Sequence, residues 1–162
     1  MDKQKTLKES AVYSGIALHT GVRSTLRFLP AGADAGIISR RVDLPGKPEV
    51  AARADKVVDV RRGTTIGEGA CVAHTVEHIM ASLHALQIDN AVIEMDGPEP
   101  PIADGSSLPF WKVLKAAGTV HGSISEYAVH PFSLWGKARR RGRALCYAMV
   151  RSTSSRVSVK AS

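Results

Sequence analysis

The residues of this 162-residue chain best equipped for chemistry are His74, Glu77 and His78. Together they spell H-x-x-E-H, the arrangement in which one class of zinc peptidases presents two imidazoles and a carboxylate. Neutral imidazole binds zinc, and a carboxylate held beside the metal takes a proton from the attacking water. The spacing leaves three readings open: both histidines are ligands, one is, or neither is. A peptidase needs a third protein ligand, commonly an acidic residue on a later helix. The glutamates after Glu77 are Glu94, Glu99 and Glu126, and none falls in a helical pattern.

The element that must position these side chains is a helix. Val76, Ile79, Met80, Leu83 and Leu86 recur at i, i+3, i+4 and i+7, which predicts one buried stripe. His74, His78, Ala81 and Ala85 fall on the other side, and His78 lies in the first turn, where the helix dipole favours neutral imidazole and ionised Glu. Before this helix the chain reads as short strands: Thr6–Tyr13, Ser24–Leu29, Gly36–Val42, Val50–Ala54 and a short one at Thr64–Ile66. A strand at Ala91–Met95 follows. A second helix starts near Ser106–Pro109, presents Phe110, Val113, Leu114 and Ala117, and ends at Gly118. Strands, helix, strand, helix predict an α+β fold, a mainly antiparallel sheet layered with two helices on one face. Leu145–Val150 and Arg156–Lys160 are weaker strand candidates.

Composition narrows the class. With 44% hydrophobic residues and no run of about 18 apolar ones, the chain is expected to be a cytoplasmic protein with a real core. Cys71 and Cys146 lack any paired spacing and are expected to be reduced and structural. The net charge is +7, yet residues 1–120 carry 14 Lys/Arg against 14 Asp/Glu, whereas 121–162 carry 8 against the single Glu126. The excess therefore sits in the tail, densest at Arg139–Arg143. It reads either as a solvated basic loop or as a surface for phosphate or a transient contact with acidic lipid. No nucleic-acid-binding signature accompanies it, which argues against specific nucleic-acid recognition.

A set of ordered segments adds a resemblance. Ser14-Gly-Ile-Ala-Leu-His-Thr-Gly21, Leu26-Arg-Phe-Leu-Pro-Ala31, Gly36-Ile-Ile-Ser-Arg-Arg-Val-Asp43, Ala52-Arg-Ala-Asp55, Thr64-Thr-Ile-Gly67, Thr75-Val-Glu-His78, Leu83-His-Ala-Leu-Gln-Ile-Asp-Asn90 and Pro101-Ile-Ala-Asp-Gly-Ser106 carry it. From Lys5 to about Gly118 the chain resembles the bacterial UDP-3-O-acyl-N-acetylglucosamine deacetylases of lipid A biosynthesis. The resemblance implies a Zn2+-dependent hydrolase that removes acetyl from the 2-amino group of an acylated UDP-glucosamine. It implies two similar domains with the reacting centre between them, of which this would be the first. Carried over, His78 is a zinc ligand and Glu77 the general base, while His74 matches no metal position. His19 and Asp104 lie in motifs that approach the active centre and stand as pocket-shaping candidates, each also readable as a structural turn or loop residue.

The resemblance also has gaps. The family completes its zinc site with a histidine and an aspartate four apart on a second-domain helix, and it uses a further late histidine. Here His121 and His130 are the histidines after His84, and neither is followed four residues later by Asp. The expectation is a first domain at 1–120, then an uncertain basic tail or incomplete second domain at 121–162. The chain is thus expected to be truncated before its second domain, inactive alone, and left with an open face that meets the missing domain or self-associates. A non-catalytic domain with a binding or scaffolding role is the alternative. A metallopeptidase is the third reading and requires His74 as a ligand.

Overall fold

The structure, a computed structural model, describes residues 4–121. The expected strands at Leu145–Val150 and Arg156–Lys160, the basic run Arg139–Arg143, Cys146, His130 and nearly all of the 121–162 unit lie outside the described residues.

Alternation of apolar and polar side chains builds the main sheet. Leu26 and Phe28 alternate with exposed Arg27 on β3 (Arg23–Pro30), and Ala91, Ile93 and Met95 form the buried face of β9 (Ala91–Met95). With β2 (Ala11–Ile16), β4 (Ile37–Arg41) and β5 (Glu49–Ala51) they make a five-stranded sheet ordered β2-β3-β9-β4-β5. Every pairing is antiparallel except that of β4 with β9. A parallel neighbour requires a crossover, and α1 (Glu77–Ala85) lies within that connection.

The two helices cover the buried face, as the sequence predicts. Ile79, Met80 and Leu83 of α1 and Phe110 and Leu114 of α2 (Leu108–Ala117) join the core of Leu26, Phe28, Ile93 and Met95. Each such side chain, fully removed from water, contributes about 1.5–3 kcal/mol. Phe110 meets Tyr13 of β2 edge-on at 5.0 Å between ring centres. The Ser82 hydroxyl lies 2.8 Å from the carbonyls of both His78 and Ser107, so it joins the first turn of α1 to the start of α2.

Three features differ from the sequence reading. The expected strand Thr6–Tyr13 is two strands, because Lys8–Ser10 bend between β1 (Lys5–Leu7) and β2. β1 leaves the main sheet and pairs with β10 (Thr119–His121), and the Lys8 amide donates to the Gly118 carbonyl at 3.0 Å. The strand expected at Val50–Ala54 stops at Ala51, after which Ala54–Lys56 form a 3-10 turn. A second sheet of β6 (Val57–Asp59), β7 (Thr65–Glu68) and β8 (Cys71–Ala73) was not foreseen beyond β7. Buried Arg41 ties the two sheets, with its guanidinium forked on Asp43 at 2.8 and 2.6 Å and its third nitrogen donating to the Val72 carbonyl.

Candidate functional site

The site forms where the second sheet hands the chain to α1. Between β8 and the helix, His74 donates its amide to the Pro98 carbonyl at 2.8 Å, and Val76 donates to the Thr64 carbonyl at 3.1 Å. Thr75 is pinned between these bonds with φ of 52°. A β-branched residue in the left-handed region is an outlier that costs about 1–3 kcal/mol and persists only where its surroundings impose it. Thr75 is buried, and its hydroxyl donates to Glu99 Oε1 at 3.2 Å.

That strained residue sets the first turn of α1. Glu77 opens the helix, where a carboxylate suits the positive dipole end, and no side chain caps it. Its Oε2 accepts the Thr64 amide at 2.9 Å, so Thr64 gives both backbone groups to the helix start. The other carboxylate oxygen lies against Gly63, where a Cβ would stand 3.1 Å from Glu77 Oε1 and 3.3 Å from Thr75 Oγ1. The absence of a side chain at Gly63 is thus what lets the loop between β6 and β7 close over Glu77. His78 follows on the same turn and is half-buried.

Glu99 is the second organising group. Its side chain is 1% exposed and accepts the His19 and Thr20 amides at 3.0 Å each, the His19 ring through Nδ1 at 2.6 Å, and the Thr75 hydroxyl. Burial pushes its pKa up, but the His19 ring and the His19 and Thr20 amides outweigh that and hold the carboxyl below the usual range. Glu99 is therefore an ionised acceptor. A cleft of about 520 Å³ opens over this cluster, lined among others by His19, Thr75, Glu99, Arg61, Arg62 and Gly63. Gly63, one of its lining residues, also lies against the Glu77 carboxylate.

The sequence-predicted residues distribute as follows. Glu77 and His78 share the first turn of α1. His19 lines the cleft. His74 lies before the helix, on the cleft wall, with Nδ1 3.0 Å from the Thr65 hydroxyl. Asp104 turns its carboxylate onto the Ser106 amide and hydroxyl at 2.9 and 2.7 Å, in the loop before α2. That loop is drawn close to β2 because Gly15 has no side chain; a Cβ there would meet Pro101 at 3.0 Å. Sequence reasoning missed Thr75, Gly63 and the role of Glu99. The only signal for Glu99 was a carboxylate flanked by prolines, Pro98-Glu-Pro100, in a segment unable to be helical.

Among the described residues, no group of three or more His, Cys, Asp and Glu side chains is placed to hold a metal ion. His78 offers one imidazole beside a carboxylate. Residues 4–121 thus fit one share of a zinc site and not a complete one. No helix of the described residues is long and apolar enough to cross a membrane. Cys71 is free and buried, and burial pushes its thiol pKa up, as suits an inert structural cysteine.

Known proteins are similar to this chain in sequence. Residues 4–139 match the family model described as UDP-3-O-acyl N-acetylglycosamine deacetylase. The chain is 51% identical over 115 residues to the bifunctional enzyme LpxC/FabZ of Chlorobaculum tepidum, a match that covers 71% of this chain and 25% of the relative. It is 46% identical over 127 residues to the UDP-3-O-acyl-N-acetylglucosamine deacetylase of Citrifermentans bemidjiense, covering 78% of this chain and 42% of the relative. A deacetylase of the same name from Bdellovibrio bacteriovorus is 46% identical over 117 residues, covering 72% and 39%. The chain therefore spans between a quarter and about two fifths of the length of these relatives.

Proposed function

The chain belongs to the UDP-3-O-acyl N-acetylglycosamine deacetylase family, and on that premise we propose that it supplies one domain of an enzyme hydrolysing the acetamide of UDP-3-O-acyl-N-acetylglucosamine. The observation that supports this most is the pair Glu77 and His78 on one helix turn, with the Glu77 carboxylate held by the Thr64 amide against Gly63. A carboxylate fixed at one oxygen keeps the other for a proton, which is what a base acting on water needs. His78 would be one protein ligand of a Zn2+ ion, with the others supplied by residues outside 4–121. A bound zinc ion acidifies water and polarises a carbonyl. His19 lines the cleft beside this turn, and Asp104 shapes it indirectly by ordering the loop packed on β2.

The partner this reading requires is a second domain. Val12 and Ile16 on the edge strand β2, with Leu18 and Val22 in the turn that carries His19, are each more than half exposed, and a second domain would cover such apolar side chains. The basic residues of 121–162 would add phosphate or membrane-surface contact. A non-catalytic binding domain is the second reading, and it draws on the incomplete ligand set among the described residues.

A chimera separates the two. Residues 4–121 replace the matched segment of the Citrifermentans bemidjiense deacetylase, and zinc content and acetate release from UDP-3-O-acyl-N-acetylglucosamine are measured. The chimera is expected to retain zinc and release acetate, and its His78→Ala form to lose both. A folded, zinc-loaded chimera without turnover would favour the non-catalytic reading. Full zinc retention by His78→Ala would remove His78 from the ligand set.

A further inference from the structure

The cluster around Glu99 does more than fill a buried corner. A carboxylate with lowered proton affinity can only accept hydrogen bonds. The 2.6 Å contact with His19 therefore places the ring proton on Nδ1. In the neutral imidazole this leaves the lone pair on Nε2, and the partner of one ring nitrogen decides the chemistry of the other. The His19 side chain is 37% exposed and lines the cleft, so its ring is open to a ligand while its orientation is set from beneath. The same Glu99 oxygen accepts the hydroxyl of Thr75, two residues before Glu77, whose backbone is held at φ of 52°.

We propose that Glu99 is a positioning residue that fixes His19 as the Nδ1-protonated tautomer, presenting Nε2 as a proton acceptor to the cleft, and that holds Thr75 so that the first turn of α1 is set in the same act. One buried carboxylate thereby registers two elements: the turn after β2 and the start of α1. The group that Nε2 would engage is a hydroxyl or amine donor of the bound ligand. For its consequence in turnover the inference rests on the deacetylase reading; for the tautomer it does not.

The test uses the chain itself. Long-range 1H–15N spectra at a pH where the imidazoles are neutral distinguish Nδ1–H from Nε2–H for His19. The wild-type chain is expected to show Nδ1–H. In Glu99→Gln the amide keeps its oxygen for the His19 and Thr20 amides and turns its NH2 toward the ring, so His19 is expected to switch to Nε2–H. An Nε2–H tautomer in the wild type, or an unchanged tautomer in a folded Glu99→Gln, overturns the proposal. Should Glu99→Gln fail to fold, Glu99→Asp keeps the charge and shortens the reach. Its His19 Nδ1 resonance is then expected to move, and an unmoved one overturns the proposal equally. None of these readouts depends on deacetylase turnover, so the two claims fail separately.

Discussion

A residue in an unfavourable backbone region marks where the structure is held against its own preference. Thr75 is such a residue, and Glu99 is among the groups that hold it. The Glu99 carboxyl is held below its ordinary pKa, so its ionised form is favoured by folding. The stability it contributes is present in full above the unfolded carboxylate pKa and disappears as pH falls through the lower folded value. Acid titration of unfolding should therefore show wild type losing stability over that window, while Glu99→Gln, less stable at neutral pH, loses less over the same window. Parallel acid limbs for the two proteins would contradict this. None of this was legible in the sequence. Glu99 meets His19 80 positions away and Thr75 24 away, and no local periodicity records contacts of that range.

Elements were legible in proportion to their length and pattern. The stripe from Val76 to Leu86 marks α1, and the alternation of Leu26 and Phe28 with Thr25 and Arg27 marks β3, because burial on one face imposes a period. Three-residue strands such as β6 and β8 are too short to display a period, and the second sheet they form went unseen. That sheet matters to the site, since the loop from β6 to β7 places Gly63 against Glu77. Gly63→Ala in the chimera should push its new methyl group onto the Glu77 carboxylate. Turnover is expected to fall by about tenfold to a hundredfold, as for a reacting group displaced by up to about 1 Å. Zinc content should stay unchanged, since His78 is not crowded. Unaltered turnover would show that the closeness of Gly63 to Glu77 is immaterial to the reaction.

At the scale of the molecule, the base candidate and one candidate metal ligand lie next to each other on the first turn of α1. The described residues stop short of a complete metal site. The exposed apolar side chains of β2 and of the turn after it, and relatives about two to three times as long as this chain, are in keeping with the proposed reaction centre between two domains. The three readings of the opening H-x-x-E-H pattern now differ in structure: Glu77 and His78 lie on the helix, whereas His74 lies before it with its Nδ1 beside the Thr65 hydroxyl. The central claim is that Glu77 takes the proton while His78 serves the metal. Zinc content and acetate release of the chimera with Glu77→Gln test it most directly. The account predicts unchanged zinc and turnover lower by about two to four orders of magnitude; turnover equal to that of the unsubstituted chimera would contradict it.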